Sequence, residues 1–231
     1  MPGPFTLVLE TSTPFASVAT IEPDGRWVQR EFTSDRRHNA ILFGPLKELL
    51  DARESLEIGL VLVGSGPGSY SGTRVGIAAA QGVAIAAGCP AVAVPSILAV
   101  PAAENGAACL AIGDARRGGF WTARLVDSRL VTDPELTDAA GLEGIVREAV
   151  RAGVPVISFE EPGRFPLAPE LRERIRLEFP SAQRLSRVWA ATDAATRDRW
   201  TRAAPQPIYL KPPHITPAKP DGARTISSAR R

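Results

Sequence analysis

The sequence predicts an α/β fold built from two similar halves, of which the second is the shorter. Two observations support this prediction: apolar, β-branched runs alternate with stretches of helical periodicity, and the same order of elements restarts near residue 108. The chain has 231 residues, of which 44% are hydrophobic, so it can bury one large core or two smaller ones. We expect a first lobe at residues 1–106, a smaller second lobe at residues 107–200, and a return segment with a basic, flexible tail at residues 201–231.

The first half begins with three predicted strands that are joined by short turns. Residues 5–11 and 16–21 are apolar and β-branched, and residues 27–32 alternate between apolar and polar side chains. The turn at residues 23–26 contains proline, aspartate and glycine, which favour a tight reversal of the chain. Three consecutive strands with such connections are typical of an antiparallel meander.

The rest of the first half alternates helices with buried strands. A continuous apolar run is typical of a strand that is covered on both faces, and such a run precedes a glycine-rich loop at residues 64–72. The predicted order is a helix at residues 39–52, a strand at 60–63, a helix at 73–87, a strand at 91–94 and a helix from Ser96.

The second half repeats this order with shorter elements. The predicted elements are strands at residues 108–112, 119–126 and 130–131, a helix at 138–151, a strand at 154–159, a proline-rich loop at 160–169, and helical segments at 170–177 and 186–200. Because both halves start with a strand meander and continue with a helix and a strand, the chain is predicted to be a duplicated α/β unit.

Charge is distributed unevenly along the chain. The formal net charge is +2, but residues 1–110 carry 7 Lys/Arg against 10 Asp/Glu, whereas the last thirty residues carry 6 against 1. This pattern argues against a protein that grips duplex nucleic acid, and it leaves the tail as either a solvated end or a contact for RNA or an acidic partner. No apolar run reaches the length of a membrane span, no signal-peptide pattern precedes the first strand, and the two cysteines have no metal-ligand spacing. We therefore expect a cytoplasmic protein without membrane association.

The glycine-rich loop permits two interpretations. A loop of this kind before a helix offers free backbone N–H groups and the positive end of the helix dipole, which together can bind an anion. The loop lacks the lysine of a P-loop and the third glycine of a dinucleotide-binding motif. The alternative is a tight connection in which glycines permit unusual backbone angles and Ser71 or Thr73 caps the helix.

The helix at residues 73–87 has almost no polar side chains. A helix without a polar face is buried all round, by its own core on one side and by a further cover on the other. Gly76, Ala80 and Ala84 recur at a spacing of four, which would let a second helix approach closely. The pattern therefore favours a helix-on-helix protein interface.

Residue patterns typical of catalysis are scarce. His38 and His214 are the two histidines, and they are too far apart in the sequence for a His-x-x-x-His metal motif. Glu10 ends the first strand, where a sugar-kinase-like fold carries an acidic residue, but the following Thr11-Ser12-Thr13 lacks the glycine that a phosphate needs for close approach. Asp114, at the end of a strand in the second half, could hold a metal ion, but a lone Asp before Arg116 and Arg117 is more often a turn or ion-pair residue, which is what we expect here.

Several segments of the chain resemble the TsaB (YeaZ) family. They are Leu9-Glu10-Thr11-Ser12-Thr13 with Ala16-Ser17-Val18-Ala19, the loop from Gly66 to Gly76, Gln81-Gly82, Ala111-Ile112-Gly113-Asp114-Ala115-Arg116, and Pro207-Ile208-Tyr209-Leu210-Lys211. The resemblance extends from about residue 5 to residue 211, and Glu10 stands where the family usually has Asp. The glycine loop of the family corresponds to Gly66, Pro67, Gly68, Ser69 and Gly72.

The resemblance implies an actin/Hsp70-like (ASKHA) fold with two lobes and a non-catalytic function. The subunit would pair with its catalytic paralogue TsaD to make threonylcarbamoyladenosine next to the anticodon of tRNA, serve the ATPase TsaE in a larger assembly, and form a homodimer when alone. It would contact tRNA through the complex, and TsaD would bind the ATP and the metal. The partner surface would lie on the two helices of the first lobe, at His38, Leu42, Leu46, Leu49, Arg74, Ile77, Ala80, Gln81, Ala84 and Ile85.

Two other functions compete with this one. An ATP-dependent transferase or kinase of the same superfold needs an intact nucleotide site, against which Thr11-Ser12-Thr13 argues. A glycoprotease needs a metal or nucleophile cluster that the sequence lacks. Calorimetry with ATP and Mg²⁺ distinguishes the partner subunit from the transferase.

Overall fold

A computed structural model describes residues 3–33, 41–53, 57–104 and 106–210 of the chain. Within these ranges the chain forms two mixed β-sheets, with helices packed against them. The first sheet has five strands and the second has six.

The first sheet consists of an antiparallel meander extended by two parallel strands. The meander comprises β1 (Phe5–Glu10), β2 (Phe15–Ile21) and β3 (Trp27–Thr33), and β4 (Ile58–Gly64) and β5 (Ala91–Val94) run parallel to β1. Side chains alternate between the two faces of β1. Leu7 and Leu9 pack into one hydrophobic cluster, and Val8 packs into another on the opposite face.

Two helices cover one face of the first sheet. They are α1 (Phe43–Asp51) and α2 (Tyr70–Ala87), whose buried residues share a cluster with β1, β2 and β4. Glycine at residue 88 ends α2 in a left-handed conformation, with φ of 66°. The chain then enters β5, as predicted from the sequence.

The second sheet repeats the order of the first with shorter strands. Strands β6 (Cys109–Asp114) and β7 (Phe120–Val126) are antiparallel, β8 (Arg129–Leu130) and β9 (Glu135–Thr137) pair with β7, and β10 (Val156–Ser158) and β11 (Ile175–Leu177) run parallel to β6. Helix α4 (Ala139–Arg151) covers one face of this sheet. The strand order is β3-β2-β1-β4-β5 in the first sheet and β11-β10-β6-β7-β8 in the second, with β9 also paired to β7. This repeated topology confirms the predicted α/β class and the duplication of the α/β unit.

The core between the sheets is closed by a helix from the second half of the chain. A short connection, with a 3₁₀ turn at Ser96–Leu98 and helix α3 (Pro101–Glu104), leads from β5 to β6. Helix α6 (Ala182–Ala191) packs on the first sheet, and the backbone N–H of Ala182 donates to Ser17 Oγ on β2 at 2.8 Å. One hydrophobic cluster therefore includes residues from both sheets and from α6.

Three predictions for the second half are corrected. Residues 170–177, predicted to be helical, form α5 (Pro169–Arg172) and then β11, because pairing with β10 extends the chain. The single helix predicted at residues 186–200 is two helices, α6 and α7 (Ala194–Arg202), because Asp193 caps a new helix. The strand β9 was absent from the prediction.

The end of the described chain returns to the first lobe. In this return segment, residues 203–210, the backbone N–H of Ile208 donates to the carbonyl of Ser65 at 2.9 Å. Among the helices that the structure describes, none combines the length and the apolar character that crossing a membrane requires. Both cysteines are free, and burial raises the pKa of the Cys109 thiol to about 11.

Candidate functional site

Two loops close on each other at the carboxyl ends of the parallel strands β1 and β4. In open α/β sheets, this edge is where ligands usually bind. Here the backbone N–H of Ser69 donates to the carbonyl of Ser12 at 2.6 Å, and Thr11 Oγ1 donates to the carbonyl of Gly72 at 2.8 Å. A Cβ atom at Gly68 would overlap the Ser12 carbonyl oxygen. The space between the two loops is therefore filled by the chain itself.

Several backbone N–H groups of the glycine-rich loop donate to acceptors within the chain. Gly66 donates to Ser96 Oγ at 3.0 Å, Ser65 donates to the Val94 carbonyl at 2.9 Å, and Gly72 donates to Ser69 Oγ at 3.2 Å. Ser69 is therefore the N-cap of α2, and the expectation that Ser71 or Thr73 is the cap is wrong. Of the two interpretations, the structure favours the tight strand-to-helix connection over the anion site.

Glu10, the last residue of β1, is buried beneath the two loops at the ends of β1 and β4, which we call the β1–β4 junction. Its side chain is fully buried, and Oε1 accepts a hydrogen bond from the Ser12 backbone N–H at 2.7 Å, whereas Oε2 makes no hydrogen bond of good geometry. Burial raises the pKa of Glu10, and hydrogen bonds from Ser12 and Ser96 offset part of the rise. A Cβ atom at Gly64 would overlap the Glu10 carboxyl, so the glycine lets the strands enclose it.

The second half carries an acidic pair at the corresponding strand ends. Glu160 Oε2 accepts from the backbone N–H of Asp114 at 2.9 Å. Asp114 in turn forms ion pairs with Arg116 at 3.1 Å and with Arg164 at 3.9 Å, as expected of a turn or ion-pair residue. Burial raises the pKa of Glu160, and the Asp114 charge adds to the rise, while the Asp114 N–H bond and the two arginines oppose it. Within the described ranges, no group of three His, Cys, Asp or Glu residues is placed to hold a metal ion.

Most of the predicted interface residues lie in the chain's own core. They pack against β1, β2 and β4, so they present no free surface to a partner. His38 lies outside the described residues. The buried members are Leu42, Leu46, Leu49, Ile77, Ala80 and Ala84.

The stripe of small residues on α2 meets the sheet and not a second helix. Gly76, Ala80 and Ala84 are all buried, and a Cβ atom at Gly76 would overlap Thr11 Oγ1. This corrects the expectation that these residues open the helix to a partner helix. On a helix that is apolar all round, hydrophobic spacing does not identify which face meets the sheet.

The return segment engages two further predicted interface residues. The Arg74 guanidinium lies 3.3 Å from the Tyr70 ring centroid and donates to Tyr209 Oη at 3.3 Å. Gln81 Nε2 donates to the Pro205 carbonyl at 3.5 Å. Arg74 and Gln81 therefore both contact the chain's own return segment.

An apolar stripe on the outer face of α2 is exposed. We call Ala78, Gly82, Ile85 and Ala86 the outer stripe, and Ile85 has 82% of its surface exposed. Three of these four residues were missed by the sequence prediction. Arg74, Ala78 and Gly82 follow one another at a spacing of four, and Ile85 and Ala86 lie three and four residues after Gly82. Residues with this spacing share a helix face, so the pattern could have revealed the stripe.

Comparisons with known proteins agree with this architecture. A family model described as "TsaD: tRNA N6-adenosine threonylcarbamoyltransferase" matches residues 32–179. The tRNA threonylcarbamoyladenosine biosynthesis protein TsaB of Escherichia coli is 30% identical over 152 residues, which are 63% of this chain and 65% of that protein, slightly under two thirds of its length. The uncharacterized protein Rv3421c of Mycobacterium tuberculosis is 32% identical over 153 residues, which are 64% of this chain and 72% of that protein.

Solved structures show a similar fold. A Pseudomonas aeruginosa protein described as similar to peptidase YEAZ has a TM-score of 0.66 at 25% identity, and YeaZ from the same organism has a TM-score of 0.63 at 23% identity. Each comparison covers 90% of this chain and 100% of the other.

Proposed function

The chain belongs to the TsaB (YeaZ) family, and from this premise we propose that it is a non-catalytic partner of a TsaD-type tRNA threonylcarbamoyltransferase. In this proposal the chain activates or scaffolds its catalytic paralogue, which modifies the adenosine next to the tRNA anticodon. The paralogue binds the ATP and the metal. The subunit works in the cytoplasm, contacts tRNA through the complex and serves a TsaE-type ATPase, and the isolated chain forms a homodimer.

The closed junction at β1 and β4 is the observation that carries the non-catalytic part of the proposal. A nucleotide phosphate at the ends of these strands needs an open loop with free backbone N–H groups. In this chain Ser69 and Ser12 are hydrogen-bonded across that position, and Glu10 is buried behind them. Opening the site would break these hydrogen bonds and expose the buried carboxyl.

The outer stripe of α2 supports the pairing part of the proposal. An exposed isoleucine beside alanine and glycine offers a flat apolar surface that another helix can cover at short distance. Phe43 at the start of α1, a helix on the same face of the sheet, is also exposed, at 54%. We propose that the stripe docks a helix of the TsaD-type paralogue, or of a second copy when the paralogue is absent.

Substituting Ile85 tests the docking surface. Ile85→Arg should weaken binding to the TsaD-type protein of the same organism about a hundredfold, because the charge would be buried without a partner at the contact. The matched control is Val131→Arg, which changes an exposed apolar residue of the second half and should leave binding unchanged. Binding is measured by calorimetry and oligomeric state by sedimentation, with circular dichroism to verify folding. Ala80 is unsuitable for this test because its side chain is fully buried.

Two results would contradict the proposed docking surface. A folded Ile85→Arg variant that binds like the unsubstituted chain would show that the paralogue docks elsewhere. Equal losses in Ile85→Arg and Val131→Arg would show that the effect is unspecific.

An independent transferase is the second candidate, because the matching family model is itself described as the transferase. If the chain is the partner subunit, it binds ATP with Mg²⁺ no more tightly than about 1 mM, which corresponds to about −4 kcal/mol. It also transfers no threonylcarbamoyl group to tRNA without the paralogue. A micromolar dissociation constant that is lost in Glu10→Ala, together with transfer by the chain alone, would establish the transferase instead.

A further inference from the structure

A cavity of about 590 Å³ lies where the two halves of the molecule meet. Its walls come from the connection after β5, from the β7–β8 hairpin with the following loop, and from helices α6 and α7. Small-molecule sites usually have this size and often occur between domains. The cavity includes no residue of the outer stripe or of the β1–β4 junction.

The floor of the cavity is apolar and anchored in the core. It contains Leu98 and Val188, which are buried, and Pro95, Leu130 and Trp200, which are half-buried. Leu130 and Trp200 pack against the hydrophobic cluster that joins the two sheets. The floor therefore offers an indole ring and aliphatic groups in fixed positions, which suit an apolar or aromatic group.

Part of the charged rim is already paired within the chain. Arg129 lies 3.6 Å from Asp193, and Asp193 also accepts a hydrogen bond from the Thr196 backbone N–H at 2.9 Å, where it caps α7. This capping bond lowers the pKa of Asp193, so the carboxylate is ionised at neutral pH. Arg129 and Asp193 thus form one wall of the cavity.

Three charged residues of the rim are available to a ligand. Arg199 donates to Thr196 Oγ1 at 3.4 Å and forms no ion pair with any carboxylate that the structure describes. Asp127 and Asp133 have no ion-pair partner among the described residues either. The rim therefore presents one guanidinium and two carboxylates above an apolar floor.

We propose that this cavity binds a zwitterionic amino acid with an apolar or aromatic side chain, either free or as a short peptide. Its ammonium group would pair with Asp127 and Asp133, its carboxylate would pair with Arg199, and its side chain would rest on Leu98 and Trp200. A ligand with one charge would leave part of the rim unpaired, whereas a zwitterion satisfies both signs. This proposal does not depend on the proposed function, because the cavity lies apart from the docking surface.

The proposal is tested with L-phenylalanine and two analogues that each lack one charge. Phenethylamine keeps the ammonium group and the ring, and 3-phenylpropionate keeps the carboxylate and the ring. Calorimetry on the full chain should give L-phenylalanine at least about tenfold tighter binding than either analogue. The dipeptide Phe-Leu distinguishes the two sources: tighter binding of the dipeptide assigns a peptide, and weaker binding assigns a free amino acid.

Substitutions on the rim assign the charges. Arg199→Ala should abolish the preference for L-phenylalanine over phenethylamine, and Asp133→Asn should reduce the preference over 3-phenylpropionate. Arg197→Ala is the matched control, because Arg197 lies on the same helix but faces the Trp189 ring, outside the cavity. The proposal is overturned if no probe binds saturably at millimolar concentration, if one analogue binds as tightly as L-phenylalanine, or if Arg199→Ala leaves the preference intact.

Discussion

The ends of β1 and β4 in the first half occupy the same places in their sheet as the ends of β6 and β10 in the second half. Both positions carry a carboxylate, Glu10 in one and Asp114 in the other. Glu10 is fully buried under the glycine-rich loop, and Asp114 is paired with arginines at the surface. The two halves therefore share a topology but differ in whether the carboxylate at the end of the first strand is buried or is paired with arginines.

The turns that follow β1 and β6 also differ, in their backbone angles and in their exposure to solvent. In the first half, the described residues with positive φ are all glycines, whereas the turn after β6 places Arg116 and Arg117 at φ of 65° and 58°. The first turn is packed against the α2 loop, and the second is open and charged. The two sheets thus have the same strand order. The loops that cover each strand end determine whether the side chains there are buried or exposed to solvent.

The largest difference in stability between the two halves is expected when a loop glycine is replaced by alanine. Gly68→Ala should destabilise the chain by about 3 kcal/mol, because its Cβ overlaps the Ser12 carbonyl oxygen and the backbone must shift. Gly163→Ala, in the loop after β10, meets nothing within 4 Å and should change stability by less than about 0.5 kcal/mol. Urea denaturation measures both values, and equal losses would show that the first junction is not closed by this contact.

A smaller difference is expected from neutralising the buried Glu10 and the half-buried Glu160. Because burial raises the pKa of Glu10, its protonated form favours folding, and its contribution to stability is lost as pH rises through that raised pKa. Glu10→Gln should therefore stabilise the chain at pH 8 by about 1 kcal/mol and remove this pH dependence. The gain should be smaller for Glu160→Gln, because Arg116 and Arg164 stabilise the charged form.

Chemical denaturation between pH 4 and pH 8 tests this order. A loss of stability in Glu10→Gln at high pH would mean that the Glu10 carboxylate is stabilised by the junction, and the contrast between the halves would then disappear.

The smallest effect is expected from removing the acidic group of the open turn. Asp114→Ala deletes ion pairs with the exposed Arg116 and Arg164 and the hydrogen bond that Asp114 accepts from the Arg116 backbone N–H. It should cost about 0.5–1 kcal/mol. The ion-pair part of this loss should decrease at high salt, because exposed charges are screened. Thermal denaturation at two salt concentrations measures the effect, and a salt-independent loss of several kcal/mol would place Asp114 in a buried network like that of Glu10.

The sequence predicted the strands with strong local signals. Alternating or continuous apolar runs located β1 to β7 to within a few residues, and the turn at residues 23–26 located the first hairpin. It failed at β11, where Leu171 and Ile175 are spaced like a helix and the strand forms because β10 lies beside it. Pairing between distant segments is not visible in a local pattern.

Of the exposed outer stripe, the sequence prediction named Ile85 and missed the other three residues. The apolar character of α2 and the glycine-rich loop before it were clear from the residues themselves. Which face of α2 meets β1 and β4, and therefore that Ala80 is core while Ile85 is exposed, depended on how the helix docks. The interface at the outer stripe stays a prediction that the Ile85 variant can test.

The sequence by itself determined the order of most elements, the repeated halves and the resemblance to one family, because each of these depends on residues close together in the chain. The tertiary structure alone decided that the junction at Glu10 is closed, that the return segment occupies Arg74 and Gln81, and that a cavity lies between the halves. These features arise from contacts between residues more than fifty positions apart. Their geometry is set by how sheets and helices pack, which local hydrophobicity and turn propensity do not specify.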